Sequence, residues 1–139
     1  MIHQATQEIS NVFTMRDIRH LVEESGNLSY VEAGFTGKNV QNVRVRFLSA
    51  DEENDVAVRV SGFGAVRVSA AKRPAMLRCL SDLNWQYRYV KFCLGSEGDI
   101  SVEYDLPVEA LGENVGAICR EIFIRFMRIL DDKIGRAHV

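Results

Sequence analysis

The 139-residue sequence predicts an α+β fold in which helices pack on an antiparallel five-stranded sheet. Apolar residues recur with a period near 3.6 in some segments and a period of 2 in others, which separates helices from strands. In the strands, apolar and polar side chains alternate, as is typical of an antiparallel sheet with one buried face. The composition, 47% hydrophobic and 26% charged, is that of one ordinary soluble domain. We therefore predict a single domain over residues 1–139 with the order α-β-β-β-α-β-β-α, in which 1–13 and 135–139 are candidates for loosely ordered ends.

The first helix is predicted to begin at Thr14 and to end before Ser25-Gly26-Asn27. Thr14 and Asp17 have the spacing of a capping box. Behind them four apolar residues recur at helical spacing: Met15, Ile18, Leu21 and Val22. The preceding segment contains Ile9, Val12 and Phe13, and the sequence leaves open whether these residues extend the helix or lie beside it.

Three predicted strands follow, at Ser29–Ala33, Gln41–Leu48 and Asp55–Ser61. The two longer strands alternate strictly, with valines and Phe47 on one side. The other side of these strands carries three arginines: Arg44, Arg46 and Arg59. Gly62 and Gly64 then break the pattern.

The second half begins with a predicted helix, Arg73–Asn84, in which Pro74 suits the first turn. Its apolar side is formed by Met76, Cys79, Leu80 and Leu83. The next strand, Tyr87–Leu94, has apolar or amphipathic residues on both faces, which predicts a central strand or one covered on both sides.

A glycine-containing hairpin turn over residues 95–99 leads to the last predicted strand, which ends at Pro107. Its inner face is predicted to consist of Ile100, Val102, Tyr104 and Leu106. After Gly112 the sequence predicts its strongest helix, with an apolar ladder of nine residues: Val115, Ile118, Cys119, Ile122, Phe123, Phe126, Ile129, Leu130 and Ile134.

The reactive side chains show no catalytic or metal-binding spacing. Cys79, Cys93 and Cys119 lie 14 and 26 residues apart, which is neither a CxxC nor a zinc pattern, so they are predicted to be buried free thiols. The three histidines, His3, His20 and His138, have no acidic or cysteine neighbour at a ligand spacing. Glu103 and Asp105 share one strand face, but so do the residues of any solvated hairpin face. The sequence predicts no enzyme, no cofactor and no metal.

The three arginines could in principle contact RNA, with Arg67 as a further member of the group. The formal charge of the chain is −2, however, and nucleic-acid-binding domains are usually strongly basic. Cross-strand pairing of the arginines with acidic residues is the favoured interpretation. Nucleic-acid binding is therefore the weaker alternative.

The sequence has no run near the roughly 20 apolar residues that a membrane helix needs. Its first residues also lack the basic and apolar blocks of a signal peptide. A cytoplasmic protein without a membrane contact is expected.

Four short motifs carry a resemblance to a known family: Leu83-Asn84, Lys91-Phe92, Gly98-Asp99 and Asp105-Leu106-Pro107. In their order and spacing, over roughly residues 14–134, the chain resembles the YbjN family, whose members are described as bacterial sensory transduction regulators. Each motif has a structural explanation, and Asn84 is expected to take the left-handed conformation common at helix ends.

The resemblance implies the fold of type III secretion chaperones, whose members are mostly dimers that hold segments of partner proteins in apolar grooves. We therefore expect a non-enzymatic, cytoplasmic protein that acts through protein–protein contacts as a homodimer with an unidentified partner. The candidate contact residues are Arg44, Arg46, Arg59, Met76, Leu77, Leu80, Trp85 and Tyr87.

Two alternatives to protein binding remain open at this point. One is a nucleic-acid-binding domain that uses the arginine-bearing sheet face. The other is a small-ligand-binding domain with a pocket between the sheet and the long helix. The polar groups available to that pocket would be Glu103, Asp105, Tyr89 and Tyr104.

Overall fold

The computed structural model describes residues 2–50, 55–61, 67–88, 90–107 and 114–134, with backbone only for 55–61, 133 and 134. Three helices lie within these ranges: α1 (Gln4–Met15), α2 (Arg73–Gln86) and α3 (Val115–Ile129). The strands are β1 (Leu21–Ser25), β2 (Leu28–Phe35), β3 (Val43–Ser49), β4 (Asp55–Ser61), β5 (Lys91–Leu94) and β6 (Ile100–Pro107). A 3-10 turn, Ala70–Lys72, precedes α2, and a π-helical turn, Leu130–Ile134, continues α3.

The strands form an antiparallel sheet in the order β1-β2-β3-β4-β6-β5. Strands β1 to β3 make up one side of the sheet and β5 and β6 the other, with β4 joining them. The α+β class is confirmed, whereas the prediction of a five-stranded sheet is wrong because it lacked β1.

The first helix begins ten residues earlier than predicted, and Thr14 lies near its C-terminal end. The helix ends in a Schellman motif at Asp17, whose φ is 57°. The Asp17 N–H donates to the Thr14 carbonyl at 3.2 Å, and the Ile18 N–H donates to the Phe13 carbonyl at 2.8 Å. Because the left-handed residue turns the chain away from the helix axis, the residues from Ile18 onward leave the helix and lead into β1.

Strand β1 occupies residues that were predicted to be helical. It pairs with β2 through a two-residue turn, Gly26-Asn27, with Ser25 opposite Leu28. Gly26 has a φ of 62°, which a glycine adopts without steric cost. The predicted helix stop is therefore a hairpin turn, since the same residue types serve both purposes.

The core lies between one face of the sheet and the helices α1 and α3. Phe13 of α1 contacts Phe47 of β3 edge-to-face with ring centroids 5.5 Å apart, and contacts Phe123 of α3 at 5.9 Å. The two helices approach closely at Gly116, where an added Cβ would come within 2.7 Å of the Glu8 carbonyl oxygen. Residues 4–13, which the sequence left undecided, thus supply one wall of the core.

Several predicted patterns are confirmed. Val43, Val45 and Phe47 are fully buried, while Arg44 and Arg46 lie on the opposite face. The turn at 95–99 is closed by the Gly95 N–H, which donates to the Asp99 carbonyl at 2.7 Å. The inward side of α3 and of the turn that continues it is buried at six of the expected positions, which are Val115, Cys119, Ile122, Phe123, Phe126 and Leu130.

Strand β5 is an edge strand, so the prediction of a central strand is wrong. Its free edge faces α2, where Asn84 binds both backbone groups of Phe92. The Phe92 N–H donates to Asn84 Oδ1 at 2.8 Å, and Asn84 Nδ2 donates to the Phe92 carbonyl at 3.1 Å. The side-chain amide thereby takes the place of a neighbouring strand. Asn84 lies inside α2 without a positive φ, which corrects the expected left-handed helix end.

Candidate functional site

A cleft of about 510 Å³ opens between α3, β6 and the segment that joins α2 to β5. It lies at the end of the sheet opposite β1. Its lining consists of Gln86, Tyr87, Arg88, Val90, Tyr104, Ile118, Glu121, Ile122, Arg125, Phe126 and Ile129.

The floor of the cleft is apolar because α3 presents residues spaced three or four apart toward the sheet. Ile122 and Phe126 are buried there, and Ile118 and Ile129 are half-buried beside them. Tyr104 of β6 forms the facing wall and is also half-buried. Apolar side chains that remain half-exposed in a concave surface favour the binding of another apolar group.

Charged groups stand at the rim. Arg88, Glu121 and Arg125 are exposed, and the Glu121 carboxylate lies 3.7 Å from Arg120 Nη1. Within the described residues the lining contains neither a histidine, a cysteine nor a serine. The cleft therefore offers apolar contact and two guanidinium groups, those of Arg88 and Arg125.

This cleft lies in the place expected for a pocket between sheet and long helix. Of the four polar candidates named for it, Tyr104 lines it. Glu103 and Asp105 lie at the alternate positions of β6, with Glu103 opposite Lys91 and Asp105 exposed. Tyr89 lies outside the described residues. Arg88 and Arg125 were not predicted, since their sequence context is that of an ordinary solvated surface.

Two of the three sheet arginines, Arg44 and Arg46, contact the buried carboxylate of Glu32. Arg46 Nε donates to Glu32 Oε1 at 2.8 Å, and Arg44 Nη1 lies 3.6 Å from Glu32 Oε2. The hydrogen bond to Glu32 raises the pKa of Arg46, and its guanidinium also lies 4.9 Å from the centre of the Tyr30 ring. The expected cross-strand pairing is thus present for these two arginines.

Glu32 was not singled out in the sequence, although the register of β2 with β3 places it directly opposite Arg46. Arg59 stands at the next register position, between Arg46 on one side and Glu103 on the other. Its side chain lies outside the described residues.

The candidate contact residues of α2 and of Tyr87, which follows it, fall into three groups. Met76 and Leu80 are buried in the core. Leu77 is 46% exposed, and Trp85 is 88% exposed. Tyr87 is half-buried in the lining of the cleft. The structure thus brings Tyr87 to the cleft and leaves Trp85 on the surface two residues before it.

Of the three cysteines that were predicted to be buried free thiols, Cys119 is buried, whereas Cys79 and Cys93 are half-buried. Cys119 is fully buried, and burial raises the pKa of its thiol. His3 Nε2 donates to the Asn27 carbonyl at 2.6 Å, and His20 Nδ1 donates to the Ile18 carbonyl at 2.8 Å. Within the described ranges, no group of three or more His, Cys, Asp or Glu residues could hold a metal ion. In that same part of the chain, no helix is both long and apolar enough to cross a membrane.

Two comparisons set the whole chain against known proteins. A family model matches residues 6–131, nearly the whole chain, and the family is YbjN, described as "putative bacterial sensory transduction regulator". A search of curated proteins found none that matches. The family description names a regulator and names neither a reaction nor a ligand.

Proposed function

The chain belongs to the YbjN family, and on that premise we propose that it is a non-enzymatic, cytoplasmic regulator that works by binding a partner protein. The observation that supports this proposal is the open apolar cleft between α3 and β6. The chaperone-like grooves implied by the sequence resemblance are compatible with such a cleft, and the kinship with secretion chaperones stays a prediction.

The chemistry of the cleft favours one kind of partner. Its floor is apolar, and each apolar side chain of a partner that is buried there would contribute about 1.5–3 kcal/mol. At the rim, Arg88 and Arg125 outnumber Glu121, which already has Arg120 nearby. We therefore propose a partner segment whose apolar residues are flanked by carboxylates.

The arginine-bearing sheet face supports nucleic-acid binding less well. The guanidinium groups of Arg44 and Arg46 are directed to the Glu32 carboxylate, and a phosphate would have to compete with it. Protein binding in the cleft requires no such rearrangement.

Fluorescence anisotropy with two labelled peptides tests the proposal. Both peptides carry the same leucine and phenylalanine centre, and they differ in having either aspartates or lysines at both ends. We expect the acidic peptide to bind and the basic peptide to bind at least roughly tenfold more weakly, since like charges face each other in that complex. The single tryptophan, Trp85, supplies a second readout, because its indole is exposed and it immediately precedes the cleft residues Gln86 and Tyr87 in the chain.

A pair of variants locates the binding surface. Arg125→Glu changes an exposed residue that lines the cleft, and Arg128→Glu changes an exposed residue of the same helix that does not. The first variant should weaken binding of the acidic peptide roughly tenfold, and the second should change it much less. Equal effects of the two variants would contradict the site. Binding of a small molecule in the cleft with no binding of either peptide would contradict the proposed class of partner.

A further inference from the structure

A notch interrupts the outer face of the sheet at Gly34, on the side opposite the core. Gly34 lies in β2 directly opposite Arg44 of β3, and both are exposed. On its other side Arg19 stands two residues before Leu21, the first residue of β1. The side chains of two arginines therefore flank a strand position that carries no side chain. The depression of about 290 Å³ formed there, the Gly34 notch, is lined by Arg19, His20, Leu21, Glu32, Gly34 and Arg44.

The two arginines leave the Gly34 notch with an excess of positive charge. Within the described residues, Arg19 is exposed and has no carboxylate at ion-pair distance. Arg44 Nη1 lies 3.6 Å from Glu32 Oε2, too far for a hydrogen bond, and its side chain is 61% exposed. Glu32 is neutralised by Arg46, whose Nε donates to Glu32 Oε1 at 2.8 Å. Most N–H groups of the Arg19 and Arg44 guanidinium groups are therefore available to a ligand.

The backbone of Gly34 adds a donor at the same place. The hydrogen-bonding groups of successive strand residues alternate between the two neighbouring strands. Because the turn Gly26-Asn27 joins β1 to β2, Leu28 and every second residue after it direct their N–H and C=O toward β1. Gly34 belongs to this set, but the pairing of β1 with β2 ends at Glu32. The Gly34 N–H therefore faces the open edge of the sheet, and β1 supplies no partner for it.

We propose that the Gly34 notch binds the phosphate group of a small phosphorylated molecule. A phosphate monoester carries a charge of about −1.5 to −2 at neutral pH, which matches two guanidinium groups. Its three terminal oxygens point in different directions, so Arg19 and Arg44 can donate to it from opposite sides. A carboxylate has two coplanar oxygens and is matched by the fork of a single guanidinium. Since Gly34 has no side chain, the phosphate can also approach its backbone N–H.

The size and place of the Gly34 notch select a small ligand. A cavity of about 290 Å³ lies at the lower end of the range for ligand pockets. A nucleic-acid strand would place further phosphates along the sheet face, where Arg46 is held by Glu32. A single phosphate uses only the two arginines whose donors are available. The cleft lies at the opposite end of the sheet from β1, so phosphate binding and peptide binding are independent.

An NMR titration of the isotope-labelled full chain at low ionic strength tests the site, with inorganic phosphate and glycerol 3-phosphate as probes. Both should bind in the millimolar range or more tightly, and the largest amide shift should fall on Gly34. Succinate, a dicarboxylate of similar charge, should bind roughly tenfold more weakly. Tighter binding of glycerol 3-phosphate would support an ester as the ligand, and tighter binding of inorganic phosphate would support the free ion. Succinate binding as tight as phosphate binding would overturn the assignment of phosphate.

Three variants and a matched control locate the binding surface. Arg19→Gln and Arg44→Gln each remove one guanidinium group and should weaken phosphate binding roughly tenfold. Gly34→Ala adds a methyl group to the floor without changing the charge, and should weaken binding roughly fivefold by holding phosphate away from the N–H. Its Cβ would lie 3.3 Å from the Val43 carbonyl oxygen, a tight contact that a small shift relieves. Arg16→Gln, which removes an exposed arginine outside the notch, should leave binding unchanged.

Circular dichroism of each variant checks that it is folded, which is expected because Arg19, Gly34 and Arg44 are exposed. A wild type that binds neither phosphate compound in the millimolar range overturns the proposal. An Arg16→Gln variant that loses as much affinity as Arg19→Gln overturns it too, as does a wild-type titration that shifts amides remote from Gly34 and leaves Gly34 unmoved. Acidic-peptide binding by Arg19→Gln should equal that of the wild type, so failure of the phosphate site does not affect the test of the cleft.

Discussion

Replacement of Asn84 tests whether its side chain protects the edge of the sheet at β5. Its amide accepts from the Phe92 N–H at 2.8 Å and donates to the Phe92 carbonyl at 3.1 Å. Replacement by alanine removes both hydrogen bonds and leaves the edge of β5 without the side chain that covers it. We expect Asn84→Ala to destabilise the protein and to make it more prone to aggregation.

The expected loss of unfolding free energy follows from the two hydrogen bonds and from the position of Asn84 inside the helix α2. Two neutral, partly buried hydrogen bonds contribute about 1–3 kcal/mol together. Alanine regains about 0.5 kcal/mol through its higher helix propensity. The net loss should be about 1.5 kcal/mol, which corresponds to a Tm lower by about 5 °C for a chain of this length.

Urea denaturation and thermal melting followed by circular dichroism measure this loss. Asn11→Ala is the matched control, because Asn11 is an exposed helical asparagine whose side chain accepts one exposed hydrogen bond, from Gln7 Nε2 at 3.0 Å. The control should change the free energy of unfolding by less than about 0.5 kcal/mol. Equal stabilities of the Asn84 and Asn11 variants would refute the assignment of Asn84 as the cover of the β5 edge.

Two further predictions concern the helix end and the thiols. Asp17→Gly should raise the free energy of unfolding by about 0.5 kcal/mol, because glycine adopts the positive φ of this residue without strain. Urea denaturation would contradict this prediction if Asp17→Ala proved as stable as the glycine variant. Ellman's reagent should react first with the half-buried Cys93 and more slowly with Cys79, whose thiol pKa is raised by burial and by the nearby Asp82. Cys119, whose pKa burial raises further, should react after unfolding, and its rapid reaction in the native protein would be inconsistent with the α3 packing.

The helices and strands whose apolar residues repeat with one clear period could be predicted from the sequence. The two-residue alternation of β3 determines which side chains are buried, because successive residues of a strand point to opposite faces. The apolar ladder of α3 and the glycine turn before β6 were likewise readable from neighbouring residues. The family was also recognisable from the sequence, and the family model that matches residues 6–131 confirms it.

The start of the chain required tertiary information. Met15 to Val22 carry a helical spacing over two turns at most, and the Gly26-Asn27 step suits a helix end as well as a hairpin. Residues 21–25 form the strand β1 because their backbone pairs with that of β2. The helix α1 is stabilised by the burial of Phe13 against Phe47 and Phe123.

The features of the candidate sites also divide into those that the sequence determined and those that depend on the tertiary structure. The sequence by itself determined the local periods, the α+β class, the family and the absence of a recognisable catalytic spacing. Only the tertiary structure decided that Asn84 covers a sheet edge, that Arg44 and Arg46 share Glu32, and that a cleft opens beside Phe126. Each of these features depends on residues far apart in the chain, and a pattern of neighbouring residues carries no information about which distant segments meet.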